Sequence, residues 1–252
     1  MIFTNLILTN LRTQYLGKNI EYYQRLESTN TEAWELLNNN QAKHGMMVIT
    51  DNQLKGKGRN GNTWFMGPSK GLALSLILTK PIEFKDAILL PLAAGVAAAR
   101  TLDNRGSQAQ LKWPNDIIIN EKKCGGILCE SKISKGIVTS MVIGIGMNIN
   151  EREKDFPENL IQSSTSLYLE TGYSHQRELI SAIFTTFFET IIDDLPSVTK
   201  QWENYCNHLE KNVSFTQEGI KYNGPFKGIH NNGQALIEIN KDIKKFSSIV
   251  LE

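Results

Sequence analysis

The chain has 252 residues, room for one large domain or for a medium one with a small companion. Lys and Arg number 27 against 26 Asp and Glu, a formal net charge of +1, which argues against a general nucleic-acid binder because no basic excess displaces phosphate counterions. With 40% hydrophobic and 21% charged residues, whole-chain disorder is excluded.

Cys124, Cys129 and Cys206 are too few for a disulfide framework and fit a reducing compartment. The N-terminal stretch is interrupted by Asn5, Thr9 and Asn10 and has no basic lead, so it is a poor signal peptide. The longest apolar stretch, Ile88–Ala99, is too short to span a bilayer. A cytoplasmic protein without a membrane partner is expected.

Along the chain, Ile20–Leu26 reads as a strand. Ser28 or Thr29 then caps a helix carrying Ala33, Trp34, Leu36 and Leu37, with Glu32 at capping-box spacing. Met46–Thr50 is a strand, Asn52–Ser69 a Gly- and Asn-rich loop, and Leu72–Leu78 a buried strand. Asp86–Leu102 reads as a helix that Pro91 kinks from within. Gln110–Trp113, Ile117–Ile119, Cys124–Ser131 and Ile137–Ile145 follow as strands joined by short turns, which implies antiparallel pairing. His175–Asp194 is an amphipathic helix, and another runs from Pro196 to about His208. Beyond Leu209, short strands Val213–Phe215, Tyr222–Gly228, Ala235–Ile239 and Phe246–Leu251 are separated by turn signals at Asn223-Gly224 and Asn232-Gly233.

Gly56-Lys57-Gly58-Arg59-Asn60-Gly61 matches the dinucleotide-binding pattern G-x-G-x-x-G literally, but no helix start follows the third glycine, so that reading is rejected. The loop instead reads as an anion clamp. Lys55, Lys57 and Arg59 supply charge, Lys70 lies nearby, and glycines let backbone N–H groups approach a phosphate. A solvated surface loop has the same composition. Three other segments each read alone as ordinary strand-and-turn sequence. These are Lys112-Trp113-Pro114-Asn115-Asp116, Lys123-Cys124-Gly125-Gly126-Ile127-Leu128-Cys129-Glu130 and Gly144-Ile145-Gly146-Met147-Asn148-Ile149-Asn150. Scattered His44, His175, His208 and His230 form no metal pattern, and Asp51 and Asp116 are carboxylates without an evident acid–base partner.

Taken together and in this order, Ser28-Thr29-Asn30, Gln53, the Gly56–Trp64 loop and these three segments resemble the biotin protein ligase family along essentially the whole chain. The resemblance implies an α/β (α+β) fold of the class II synthetase-like kind. Residues 1–208 would form the catalytic domain on a mixed, largely antiparallel sheet, and residues 209–252 a small SH3-like β-barrel. It implies activation of biotin with ATP to biotinyl-5′-AMP, then transfer to a lysine of a biotin carboxyl carrier protein domain, with Mg²⁺ accompanying ATP and no separate metal site.

The residue roles follow from the same resemblance. Ser28, Thr29, Asn30 and Gln53 would shape the biotin pocket with Trp64, Gly125 and Gly126. Lys57, Gly58 and Arg59 would close over biotin and the adenylate phosphate, and Lys123 would lie at the carboxylate–phosphate junction. Lys57, Arg59 and Lys123 are thus the catalytic candidates. Lys112, Trp113, Asn115 and Asn148 would serve ATP. The family loop usually reads G-R-G-R-x-G; here Lys57 replaces the first Arg, and Asn60 and Asn62 thin the charge. Only 27 residues precede Ser28, so a monofunctional enzyme without a DNA-binding helix-turn-helix is expected, and a homodimer through the sheet is the expected assembly.

Three other readings compete. A lipoate or octanoate ligase would share the chemistry and differ in substrate. A non-catalytic nucleotide- or RNA-binding module would need free aromatic faces among Phe215, Tyr222, Phe226 and Phe246 on a basic surface. A regulator binding the adenylate without catalysis would lack Lys123, which is present.

Overall fold

The computed structural model describes residues 1–247 and 249–251. Its helices are α1 (Thr4–Asn10), α2 (Thr29–Asn38), α3 (Phe84–Ala87), α4 (Leu90–Asn104), α5 (Glu158–Ile161), α6 (Leu167–Thr171), α7 (Arg177–Ile192) and α8 (Val198–Glu203). The first strands are β1 (Ile20–Tyr23), β2 (Met46–Thr50), β3 (Gly56–Lys57), β4 (Thr63–Trp64), β5 (Leu72–Leu78), β6 (Ile82–Glu83) and β7 (Gln110–Lys112). The remainder are β8 (Asp116–Ile119), β9 (Lys122–Ser134), β10 (Ile137–Met147), β11 (Asn212–Gln217), β12 (Ile220–Ile229), β13 (Ala235–Ile239) and β14 (Asp242–Phe246).

The large sheet has the order β1-β2-β5-β10-β9-β8-β7, with β6 on the outer end of β10. Only β1 and β2 run parallel; the other pairs are antiparallel, including β7–β8, β8–β9 and β9–β10, where the short connections predict it. The strand period of two divides the side chains between two cores. Met47 and Ile49 of β2 and Leu72, Leu74, Leu76 and Leu78 of β5 face the large core that holds α4 and α7. Met46, Val48, Ile77 and Val142 face a smaller cluster under α2, with Ala33 and Leu36.

The predicted helix Asp86–Leu102 is two helices. The chain breaks at Ile88–Leu89 and α4 starts at Leu90, so Pro91 falls in the first turn, where its missing N–H costs no hydrogen bond. Its alanines, with Gly95 facing the indole of Trp202, let α4 lie close to its neighbours. The capping box at α2 does not form. Ser28 is the N-cap but its hydroxyl makes no cap bond, and Glu32 instead accepts from the Tyr23 hydroxyl at 2.8 Å. The amide oxygen of Gln53 accepts from the Thr29 N–H at 2.9 Å and takes over the cap.

The C-terminal region is not a barrel. β11-β12-β13-β14 is an open antiparallel meander in which the edge strands β11 and β14 do not pair. Four strands of five to ten residues are too few to bring the edges into hydrogen-bonding register. Side chains bridge the gap instead: Phe215 of β11 meets Phe246 of β14 edge-on, ring centroids 4.7 Å apart. The Asn223-Gly224 signal falls inside β12, because Gly224 passes directly over the Glu238 carbonyl. The β11–β12 turn is Glu218-Gly219 and the β13–β14 turn is Asn240-Lys241, each pair with both φ values positive, as a tight hairpin requires. Asn232-Gly233 does lie in the β12–β13 connection. The last predicted strand, Phe246–Leu251, is not one. β14 ends at Phe246, Ser248 lies outside the described residues, and Ile249–Leu251 is irregular. None of the described helices is long and apolar enough to cross a membrane.

Candidate active site

The site lies on the α2 face of the large sheet, where the strands stop presenting bulk. Val142, Gly144 and Gly146 of β10 share that face by the two-residue period. A Cβ on Gly144 would lie 2.1 Å from Asn30 Oδ1, and one on Gly146 would lie 2.4 Å from Trp64 Nε1. The glycines therefore let Asn30 and Trp64 sit directly on the strand.

Neighbouring strands supply the polar frame. Ser75 Oγ lies 2.7 Å from Asn30 Oδ1 and 2.8 Å from Thr29 Oγ1. The Asn30 amide donates to Glu130 Oε2 at 2.7 Å and to the Leu128 carbonyl at 3.2 Å. Thr29 and Asn30 are thereby fixed before any ligand arrives. The indole N–H of Trp64 is buried and has no acceptor among the described residues.

One cavity brings together Ser28, Thr29, Asn30, Gln53, Lys57, Gly58, Arg59, Trp64, Lys112, Trp113, Asn115, Lys123 and Gly126. Its lid is the stretch the glycine pattern flagged. β3 and β4 form a two-stranded hairpin capped by a 3₁₀ turn at Arg59–Gly61, so no helix follows the third glycine and the dinucleotide reading stays rejected. Trp113 is buried and donates from Nε1 to the Gly233 carbonyl at 3.3 Å, joining the cavity wall to the C-terminal sheet. Asn115 clips β9, its amide donating to the Ile127 carbonyl at 3.0 Å.

The charges converge on Asp116, the one carboxylate on the cavity wall among the described residues. Lys123 Nζ lies 2.6 Å from Asp116 Oδ1. Arg59 is half-buried; burial lowers its pKa and the Asp116 charge opposes that shift. The site thus holds two cations over one acid, with Lys57 and Lys112 beside them, an arrangement that favours an entering anion.

Two predicted residues do not line this cavity. Gly125 turns towards the opposite core, where a Cβ would lie 2.8 Å from both the Gly146 carbonyl and Ile117 Cδ1. Asn148 is buried behind the sheet end, donating from its amide to the Thr165 carbonyl at 2.9 Å and from its backbone to the Cys124 carbonyl at 2.7 Å. Its Oδ1 is buried and has no partner among the described residues. Of the two candidate acids, Asp51 is remote. It is buried in an ion pair with Arg177 at 2.5 Å, and its carboxyl is held below its ordinary pKa: Tyr22 and Arg177 outweigh burial, the largest influence, which acts upward.

Sequence reasoning missed Ser75, Leu128, Val250 and Leu251. Ser75 had a signal: it is the one hydroxyl in the otherwise apolar run Leu72–Leu78. Val250 and Leu251 had none, because their position depends on the tail folding back across the molecule.

The family model described as the biotin/lipoate A/B protein ligase family matches residues 22–148. Bifunctional ligase/repressor BirA of Bacillus subtilis is 34% identical over 248 residues, 96% of this chain and 76% of the relative. That of Escherichia coli is 26% identical over 90% of this chain and 72% of its own. Among solved structures, the biotin protein ligase from Aquifex aeolicus in complex with biotin and ATP superposes with a TM-score of 0.76 at 28% identity, covering 93% of this chain and 99% of that one. A family match over half the sequence, and a relative this similar along nearly the whole of this chain, fit the cavity built from the same segments: the chain belongs to the biotin/lipoate A/B protein ligase family.

Proposed function

We infer that the protein is a biotin protein ligase, which activates biotin with ATP and passes it to a protein lysine. The observation that carries this is the meeting, in one cavity, of the Ser28–Asn30 cap, Gln53, the Lys57–Trp64 loop and Lys123.

In the first step a biotin carboxylate oxygen attacks the α-phosphorus of ATP. The bond from that phosphorus to its bridging oxygen breaks, and pyrophosphate leaves with the electron pair. A carboxylate is already nucleophilic at neutral pH, so no general base is required. The task is to bring two anions together and neutralise the charge that grows between them. Lys123 does this as a compact point charge, released from Asp116 as the substrates enter, and Arg59 as a planar donor pair on the phosphate. Thr29, Asn30 and Gln53 orient biotin, with Trp64 as its apolar wall, and Lys112, Trp113 and Asn115 hold the nucleotide. Where Mg²⁺ accompanies ATP, Asp116 would hold it as a single carboxylate beside the phosphates, and it would add positive charge there; the described residues contain no cluster of three His, Cys, Asp or Glu that could hold a metal.

In the second step the neutral amine of the acceptor lysine attacks the acyl carbon, and AMP leaves with the carbon–oxygen bonding pair. The Lys57–Arg59 loop holds the anhydride away from water until then. We place carrier docking on the outer half of β9, beyond Gly126, which pairs with β10 but not with β8. A homodimer through the sheet would use the same open edge. Residues 1–208 act as the catalytic unit and 209–252 as its C-terminal support.

The RNA-binding alternative loses its surface. Phe215 and Phe226 are fully buried, and Tyr222 stacks on Phe215 with ring centroids 5.3 Å apart, so these rings are spent on packing. The test is transfer: with ATP, Mg²⁺ and biotin, a biotin carboxyl carrier domain should gain one biotinyl group. A carrier whose acceptor lysine is replaced should gain none. An unmodified wild-type carrier would refute the transfer step.

A further inference from the structure

Beside the catalytic cavity lies a second cleft that the roles above leave unused. It opens between the β7–β8 edge and the segment leading into β11, and it shares Lys112, Asp116, Lys123 and Leu251 with the cavity, so the two adjoin. Its far wall carries His208 and Lys211. We propose that this cleft is the release path for inorganic pyrophosphate, with Lys211 as its outer cation.

Charge and chemistry support this assignment, which rests on the adenylating function above. Among the described residues, Lys112, Lys123 and Lys211 line the cleft against two acids, Asp116 and Glu121. Asp116 pairs with Lys123 at 2.6 Å before the substrates enter. Lys112 and Lys211 have no carboxylate within ion-pair distance among the described residues. Lys112 and Lys211 line this cleft together with His208. When the α-phosphorus bond breaks, the electron pair stays on pyrophosphate, a multiply charged anion beside Lys123. The next free cations lie along this cleft. Flexible ammonium groups suit passage, because they exchange partners readily. Leu251 lies at the junction of the two spaces and supplies an apolar neck.

Lys211 is the residue to test, because its side chain is exposed and its backbone alone is bonded, to His208 and Phe226. Biotin-dependent ATP–pyrophosphate exchange is measured for the wild type, Lys211→Ala, Lys211→Glu and Lys211→Arg, with KM for pyrophosphate and for biotin taken separately. Lys211→Ala should raise KM for pyrophosphate roughly five- to tenfold, the value of one charge-assisted contact. Lys211→Glu should raise it further and Lys211→Arg restore it, with KM for biotin and Tm unchanged. An unchanged KM for pyrophosphate in an exchanging Lys211→Ala enzyme would overturn the proposal, and so would an equal rise in KM for biotin. If the wild type shows no exchange at all, the adenylating function itself fails and this path with it.

Discussion

Lys123 holds its ammonium 2.6 Å from Asp116 while 38% of the side chain stays exposed at the cavity. A half-exposed pair of this kind contributes about 1 kcal/mol or less to stability. Lys123→Ala should therefore fold normally and keep its Tm, yet lose roughly a hundredfold or more in adenylate formation, because a group aimed at developing charge acts mainly in the transition state. A normal exchange rate in that variant would remove Lys123 from the mechanism. Gly146 makes the complementary case. Gly146→Ala places a methyl group 2.4 Å from Trp64 Nε1 and must push the indole off the strand. Overpacking of this kind costs on the order of 1–3 kcal/mol, so KM for biotin should rise about ten- to a hundredfold. Titration calorimetry with biotin checks this without ATP; unchanged affinity would place biotin elsewhere.

The element that matters most is the loop between β2 and β5, and it is stapled at both ends. Arg177 of α7 reaches Asp51 at 2.5 Å before the loop and the Gly71 carbonyl at 3.2 Å after it. Glu151, fully buried, accepts from the Gly67 and Ile149 N–H groups at 3.1 and 2.8 Å. The tip alone is left free to reorder, with Lys57 and Asn60–Thr63 exposed. Arg59→Ala should then speed escape of biotinyl-AMP by about an order of magnitude while the fold is kept, since a clamp on one phosphate is lost. Release measured by rapid filtration checks it, and an unchanged release rate would deny the lid role. The composition of this loop was legible in the sequence, because anion binding needs cations and glycines close together. Its anchors were not: Asp51, Glu151 and Arg177 are far apart in the chain, and only folding makes them neighbours. Likewise Pro91 marked a helix boundary that the apolar period ran straight through.

Across the whole molecule, the catalytic sheet and the C-terminal meander meet around His208. Its ring lies edge-on to Phe226, with ring centroids 4.3 Å apart, and burial is the main cause of a pKa pushed down to about 4. A base with a depressed folded pKa stabilises above its unfolded value of 6.5 and loses that stability as pH falls towards 4, roughly 3 kcal/mol in all. Glu151 works in the opposite sense. Burial raises its pKa from 4.5 to about 7, so its contribution is full at low pH and fades as pH rises through that window. The two slopes oppose each other, and the wild type should be nearly flat with respect to them between pH 4.5 and 6.5. His208→Phe should unmask the Glu151 slope, with stability falling as pH rises; urea melts at several pH values measure it, and a profile parallel to the wild type would contradict it. The large sheet was readable from hydrophobic period and short turns. That the C-terminal strands form an open meander and not the expected barrel was not, because four short strands carry no local signal that says whether their edges meet.

ATP–pyrophosphate exchange with Mg²⁺, offering biotin, lipoate and octanoate in parallel, tests the central claim most directly. The account predicts exchange with biotin alone. Exchange with lipoate or octanoate but not biotin, or with none of the three, would contradict it.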